Sequence, residues 1–161
     1  MSIALALYQP DIAANTGTLL RLGACLGVTV HVIHPAGFAL TDRNLARAGM
    51  DYLDKAALAE HASFAAFEAW RQHQARRLVL LTTKSSESAY AATFAPGDIL
   101  LLGRESAGVP DSVAQVCDLR LRIPMQPGLR SINMALAGGM ILGEALRQTG
   151  AFPVLSDAAP L

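Results

Sequence analysis

Short apolar runs alternate with helical patterns along almost the whole chain, and this alternation constrains the fold more than any other feature. Residues 3–8, 28–33, 78–82 and 99–102 are nearly continuous apolar or β-branched runs. Runs of this kind read as strands buried on both faces. Residues 119–123 alternate strictly, with Leu119, Leu121 and Ile123 on one face and Arg120 and Arg122 on the other. That is the pattern of a half-buried strand. Between the runs lie helix signals. Asn15–Thr16 is a helix start, Leu19, Leu22 and Leu26 follow at helical spacing, and Gly27 is the stop. Thr41 starts a short helix through Ala48 that ends at Gly49, and Ser63 caps a segment carrying Phe64, Phe67 and Trp70. Pro110 suits the first position of a helix through Val116. Ser131 opens a long, nearly all-apolar helix to about Gln148. Five strands separated by helices predict an α/β fold, a mostly parallel sheet with helices on both faces.

The 161 residues suffice for one domain at ~150 residues per domain, placed over 1–150 with a loose tail at 151–161. Charged residues make up 16% of the chain, against a usual ~25%. With 52% hydrophobic residues this excludes disorder. It also suggests that a second subunit covers part of the surface. Thirteen basic and thirteen acidic residues cancel, so no global field draws in a polyanion, and any such site is a local patch. All basic residues but Lys55 and Lys84 are Arg, which suits bidentate contacts with phosphate. Cys25 and Cys117 lack metal-ligand spacing and read as buried thiols. The N-terminus has no basic segment of a signal peptide, and residues 134–143 are too short for the ~20 of a membrane span. The expectation is a cytoplasmic protein with no membrane association.

Ligands of such sheets bind beyond the carboxyl ends of the strands. The informative loops therefore follow Tyr8, Thr82, Leu102 and Ile123. The first reads Gln9-Pro-Asp-Ile-Ala-Ala-Asn15-Thr-Gly17, with Arg21 further along the helix. A helix N-terminus attracts anions, although a capped helix with a surface Arg explains the same residues. The loop after Leu102 reads Gly103-Arg-Glu105-Ser-Ala-Gly108-Val-Pro110. Its glycines permit close backbone approach, and Glu105 is a carboxylate at a strand end. It is not a P-loop, and no GxGxxG follows the first strand. The loop after Ile123 carries two prolines and a glycine and leads into Arg130-Ser131-Ile-Asn133. Neither a GxSxG elbow nor a suitable His accompanies Ser131, which argues against a hydrolase. Gly139 and Gly143 let another helix approach closely, from this chain or from a second one.

Together, Pro10 to Gly17 with Arg21-Leu22, Gly103 to Pro110, and Ile123-Pro124-Met125 with Arg130 to Asn133 resemble the three motifs of the SPOUT RNA methyltransferases, in order and spacing. The nearest type is the single-domain tRNA wobble-ribose 2'-O-methyltransferases. Further agreement lies in residues 34–38, 47–52 and 81–84. The resemblance implies a SPOUT-type α/β fold with a C-terminal trefoil knot, which periodicity alone does not propose. It implies S-adenosylmethionine as cofactor, S-adenosylhomocysteine as product and no metal. It implies a homodimer acting on the tRNA anticodon stem-loop, with cytidine or a modified uridine at the wobble position. By matching position, the cofactor residues are Leu81, Thr82, Gly103, Ile123, Met125 and Ser131. The catalytic candidates are Arg21, Glu105, Asn133 and Asn15. Three positions depart from the pattern: Arg104 stands where relatives often carry Pro, Leu136 where they carry Asn, and Gly143 where they carry an aromatic residue. The alternatives are a 2'-O-methyltransferase for another tRNA or ribosomal site, or a knotted binding protein that does not methylate.

Overall fold

The computed structural model describes residues 1–41 and 43–155 of the chain. Six parallel strands form one sheet: β1 (Ala4–Tyr8), β2 (Thr29–Ile33), β3 (Leu58–His61), β4 (Leu78–Leu81), β5 (Ile99–Leu102) and β6 (Leu119–Leu121). Their spatial order is β3-β2-β1-β5-β4-β6. The helices are α1 (Ala13–Leu26), α2 (Arg43–Gly49), α3 (Phe64–His73), α4 (Asp111–Val116) and α5 (Met134–Thr149), with a 3-10 turn at Met50–Lys55.

Alternate residues of the central strands feed two separate cores. Leu5, Leu7, Leu100 and Leu102 point to the side covered by Leu19 and Leu20 of α1 and Ile141, Leu142 and Leu146 of α5. Ala4, Ala6, Ile99 and Leu101 point to the side covered by Phe67 of α3 and Val113 of α4. This two-sided burial is why the runs of β1 and β5 contain no charged positions. At the close crossing of α5 it is Gly138 that matters, since a Cβ there would lie 2.8 Å from Leu102. Gly139 and Gly143 keep an open flank.

The segment between β4 and β5 pairs in parallel with the chain that leaves β6. Arg122 donates to the Glu87 carbonyl at 2.8 Å and accepts from Ala89 N–H at 2.8 Å. Further along, Gln148 of α5 accepts from Phe94 N–H at 2.9 Å and donates to the Ala92 carbonyl at 3.1 Å.

Several expectations need correction. The sheet has six strands rather than five, because β3 is a short edge strand with alternating exposure and no apolar run. Helix α1 begins at Ala13 with Ile12 at its cap, so Asn15 and Thr16 lie inside its first turn. The caps come from elsewhere: Glu105 takes the N–H groups of Asp11 and Ile12. Helix α5 begins at Met134, and its cap is Asn133 rather than Ser131, with the Asn133 side chain accepting from Ala135 and Leu136 N–H. Strand β6 ends at Leu121. Cys25 is exposed, whereas Cys117 is buried, its thiol pushed up to about 12 by desolvation. Residues 151–155 are exposed beyond the left-handed Gly150, and the expected tail at 156–161 lies outside the described residues.

Candidate active site

Five segments converge at the carboxyl ends of β4, β5 and β6 around an open cleft of about 1030 Å³. Small-molecule sites usually measure ~300–1,000 Å³. Leu81 and Thr82 close one wall, Gly103 and its loop a second, and Ile123, Met125 and Ser131 a third. Every residue expected to hold a cofactor therefore faces the same space. Asn15, Glu105 and Asn133 line it as well. Lys84, Arg122 and Arg130 add positive charge to the lining.

Hydrogen bonds tie the three loops into one frame. The Glu105 carboxylate accepts from Asp11 N–H at 2.7 Å, Ile12 N–H at 3.3 Å and the Asn15 amide at 3.3 Å. Asn15 in turn accepts from the Asn133 amide at 3.1 Å. Asp11 reaches back across the same gap. It accepts from Arg104 at 2.6 and 3.2 Å, from the Ser106 hydroxyl at 2.5 Å and from Ser106 N–H at 3.1 Å. The Arg104 and Ser106 hydrogen bonds hold the Asp11 carboxyl down at about 2, well below the usual carboxylate range. Gly103 permits this arrangement, since a Cβ there would lie 2.7 Å from Gly108, where the loop pinches through paired Arg104–Gly108 backbone hydrogen bonds.

Arg21 is the exception among the candidates. It does not line the cleft; its guanidinium donates to Met50 Sδ at 2.8 Å and sits 5.2 Å from the Tyr52 ring centre. Glu105 holds the start of α1 and Asn15, and not Arg21. Nothing in the loop spacing marks Asp11, Arg104 and Ser106 as a latch. The available signal is a charged residue, Arg104, inside a glycine-rich loop. Among the described residues, no group of three or more His, Cys, Asp or Glu is placed to hold a metal ion. None of the described helices is long and apolar enough to cross a membrane.

Comparison with known proteins decides the family. The profile of the SpoU rRNA Methylase family matches residues 2–143. The chain belongs to the SpoU methylase family. Among curated SpoU relatives is the tRNA (cytidine(34)-2'-O)-methyltransferase of Beijerinckia indica, 58% identical over 154 residues, covering 96% of each chain. A solved structure described as "Structural insights into the 2-OH methylation of C/U34 on tRNA" superposes with a TM-score of 0.87 at 41% identity, covering 91% of this chain and 95% of that one. The SpoU methyltransferase AviRb from Streptomyces viridochromogenes, in complex with the cofactor AdoMet, superposes with a TM-score of 0.84 at 24% identity, covering 91% of this chain and 60% of that one. At that identity it shares the fold alone. The family expected from the three loop motifs is thus borne out.

Proposed function

We propose that this chain transfers a methyl group from S-adenosylmethionine to the ribose 2'-hydroxyl of tRNA nucleotide 34, a cytidine or modified uridine in the anticodon loop. The observation that carries the reading is the 58% identity, across 96% of both chains, with a tRNA (cytidine(34)-2'-O)-methyltransferase. The cleft suits the cofactor. It offers apolar side chains at Leu81, Ile123 and Met125 beside polar groups at Thr82 and Ser131, with the backbone of Gly103 uncovered by a side chain. These residues hold the cofactor in our reading, and no metal takes part. When bound, the sulfonium supplies an already activated methyl and leaves as S-adenosylhomocysteine.

What remains for the protein is to orient the hydroxyl for in-line attack and assist loss of its proton. Glu105 already accepts three hydrogen bonds, so it anchors Asn15 rather than taking the proton. Asn15, Asn133 and Ser131 place the ribose. Arg21 orients the hydroxyl and adjacent phosphate, since a guanidinium does not give up its own proton near neutrality. Because Arg21 does not line its own chain's cleft, we assign it to the cleft of a second copy, in a homodimer. Exposed Leu136 and Met140 beside the open flank of Gly139 and Gly143 supply a face for that copy. The pairing of residues 87–89 with Arg122 on the chain leaving β6, with Gln148 of α5 tied to Ala92 and Phe94 of the same segment, supports a trefoil knot. A tRNA-modifying role fits a cytoplasmic location.

Two measurements test this reading. Labelled S-adenosylmethionine and anticodon stem-loops should give methylation at nucleotide 34, abolished when that nucleotide lacks its 2'-hydroxyl. Label at another position, or only on ribosomal RNA, would overturn the assignment. Calorimetry should show S-adenosylmethionine binding that is unchanged by a chelator.

A further inference from the structure

Arg21 is held differently from the arginines that form ion pairs. Arg71, Arg77, Arg104 and Arg147 each pair with a carboxylate. Among the described residues Arg21 pairs with none. Its partners are the Met50 sulfur at 2.8 Å and the face of Tyr52 at 5.2 Å, both neutral. The ring also faces a second cation, Lys55, at 6.0 Å.

The local fold is built to deliver these two partners. Gly17 sits just over one helical turn before Arg21 on α1. Any Cβ at Gly17 would run into the Leu45 carbonyl and approach the Ala48 side chain within 2.9 Å, so the glycine lets α2 lie directly on α1. The chain then leaves α2 through Met50, whose φ of 50° is a left-handed conformation that non-glycine residues seldom adopt. That turn starts the 3-10 segment carrying Tyr52. A sulfur and an aromatic face attract a guanidinium through polarisability and the ring quadrupole. Unlike a carboxylate, they leave its positive charge uncancelled.

We infer that Met50 and Tyr52 form a neutral seat that fixes the Arg21 guanidinium while keeping its charge free for the RNA, so that Tyr52 is a positioning residue for methyl transfer. This rests on the role assigned to Arg21 above. An ion-paired Arg21 would be equally well placed but would bring an already neutralised charge to the phosphate.

Single-turnover methylation at saturating stem-loop and cofactor tests the inference. Arg21→Ala should lower the rate about a hundredfold. Tyr52→Phe keeps the ring and should stay within about twofold of wild type, whereas Tyr52→Leu should fall about three- to tenfold. In the Arg21→Ala background, Tyr52→Leu should do nothing further. Met50→Glu should fall at least as far as Tyr52→Leu, although it holds Arg21 more tightly, because it cancels the charge. S-adenosylmethionine affinity should stay unchanged in all of them. A wild-type rate in Tyr52→Leu, an equal loss with and without Arg21, or a wild-type rate in Met50→Glu would each overturn the seat. Loss expressed only as weaker stem-loop binding would instead make Tyr52 a direct RNA contact, and would overturn it too. Full turnover by Arg21→Ala would remove Arg21 itself, a failure of the underlying reading that the single variant reveals alone. If Tyr52→Leu does not fold, by its melting curve, Met50→Glu carries the decision.

Discussion

Two carboxylates do opposite jobs beside the cleft. Glu105 reaches from the β5 loop to the start of α1, and Asp11 reaches from the start of α1 to the β5 loop. The result is a reciprocal clasp between the first two motif loops. Arg104 strengthens the clasp, since its guanidinium fastens the loop to Asp11. The Asp11 carboxyl titrates at about 2 when folded and at an ordinary 3.8 otherwise. A group depressed in this way stabilises the fold above its unfolded value, and that stability is lost as pH falls through the folded one. Asp11→Asn should therefore melt earlier than wild type at pH 7 and lose less between about pH 4 and pH 2. Thermal melts of both proteins across that range check the sign. The same variant should slow methyl transfer, because the Glu105 loop loses its second fastening.

Strand β3 brings His61, paired in register with Ile33, onto the edge of the sheet with its ring against that of His31. The two rings approach to 3.0 Å between Nδ1 of His31 and Nε2 of His61, and Phe67 and Trp70 of α3 pack around them. His31 is buried, and desolvation with the neighbouring His61 and Arg76 pushes its pKa from 6.5 to about 4. The unfolded chain takes up this proton near pH 6.5 while the folded chain resists it. Stability is thus full above that pH and falls toward 4, by roughly 3 kcal/mol if the whole shift acts. Denaturant melts from pH 7 to pH 4 should show this loss in wild type. His31→Leu should flatten most of the slope whatever its effect at pH 7. An unchanged slope would place the titration elsewhere.

At the scale of the molecule, the sheet is sealed on both faces, yet α5 still exposes Leu136 and Met140. Large apolar patches on otherwise buried helices usually mark an interface. Gly143 has nothing within 4 Å of an added Cβ, so Gly143→Leu meets no obstacle within one chain. In the proposed homodimer it should overpack the contact and raise the dissociation constant about tenfold or more, with the monomer fold intact. Sedimentation of wild type and variant at micromolar concentration measures this. A monomeric wild type would refute the dimer. If the dimer is weakened, methyl transfer should fall with it, since each cleft then lacks the partner's Arg21.

Periodicity alone determined the parallel α/β sheet, because strands buried on both faces leave continuous apolar runs in Ile3 to Tyr8 and Ile99 to Leu102. It also located the cleft, because the loops at the strand ends carry Asn15, Gly103, Glu105, Ile123, Ser131 and Asn133. It missed β3, since an exposed edge strand is held by backbone pairing with β2 and needs no apolar pattern. It misplaced both helix starts, since the groups at the start of α1 are satisfied by a carboxylate 93 and 94 residues away. Only tertiary structure decided which charges pair. Asp11 with Arg104 and Arg21 with Tyr52 are contacts between segments brought together by folding, and no spacing along the chain encodes them. Long-range partners of polar groups are set by where the sheet and helices place them, after the apolar pattern has chosen the fold.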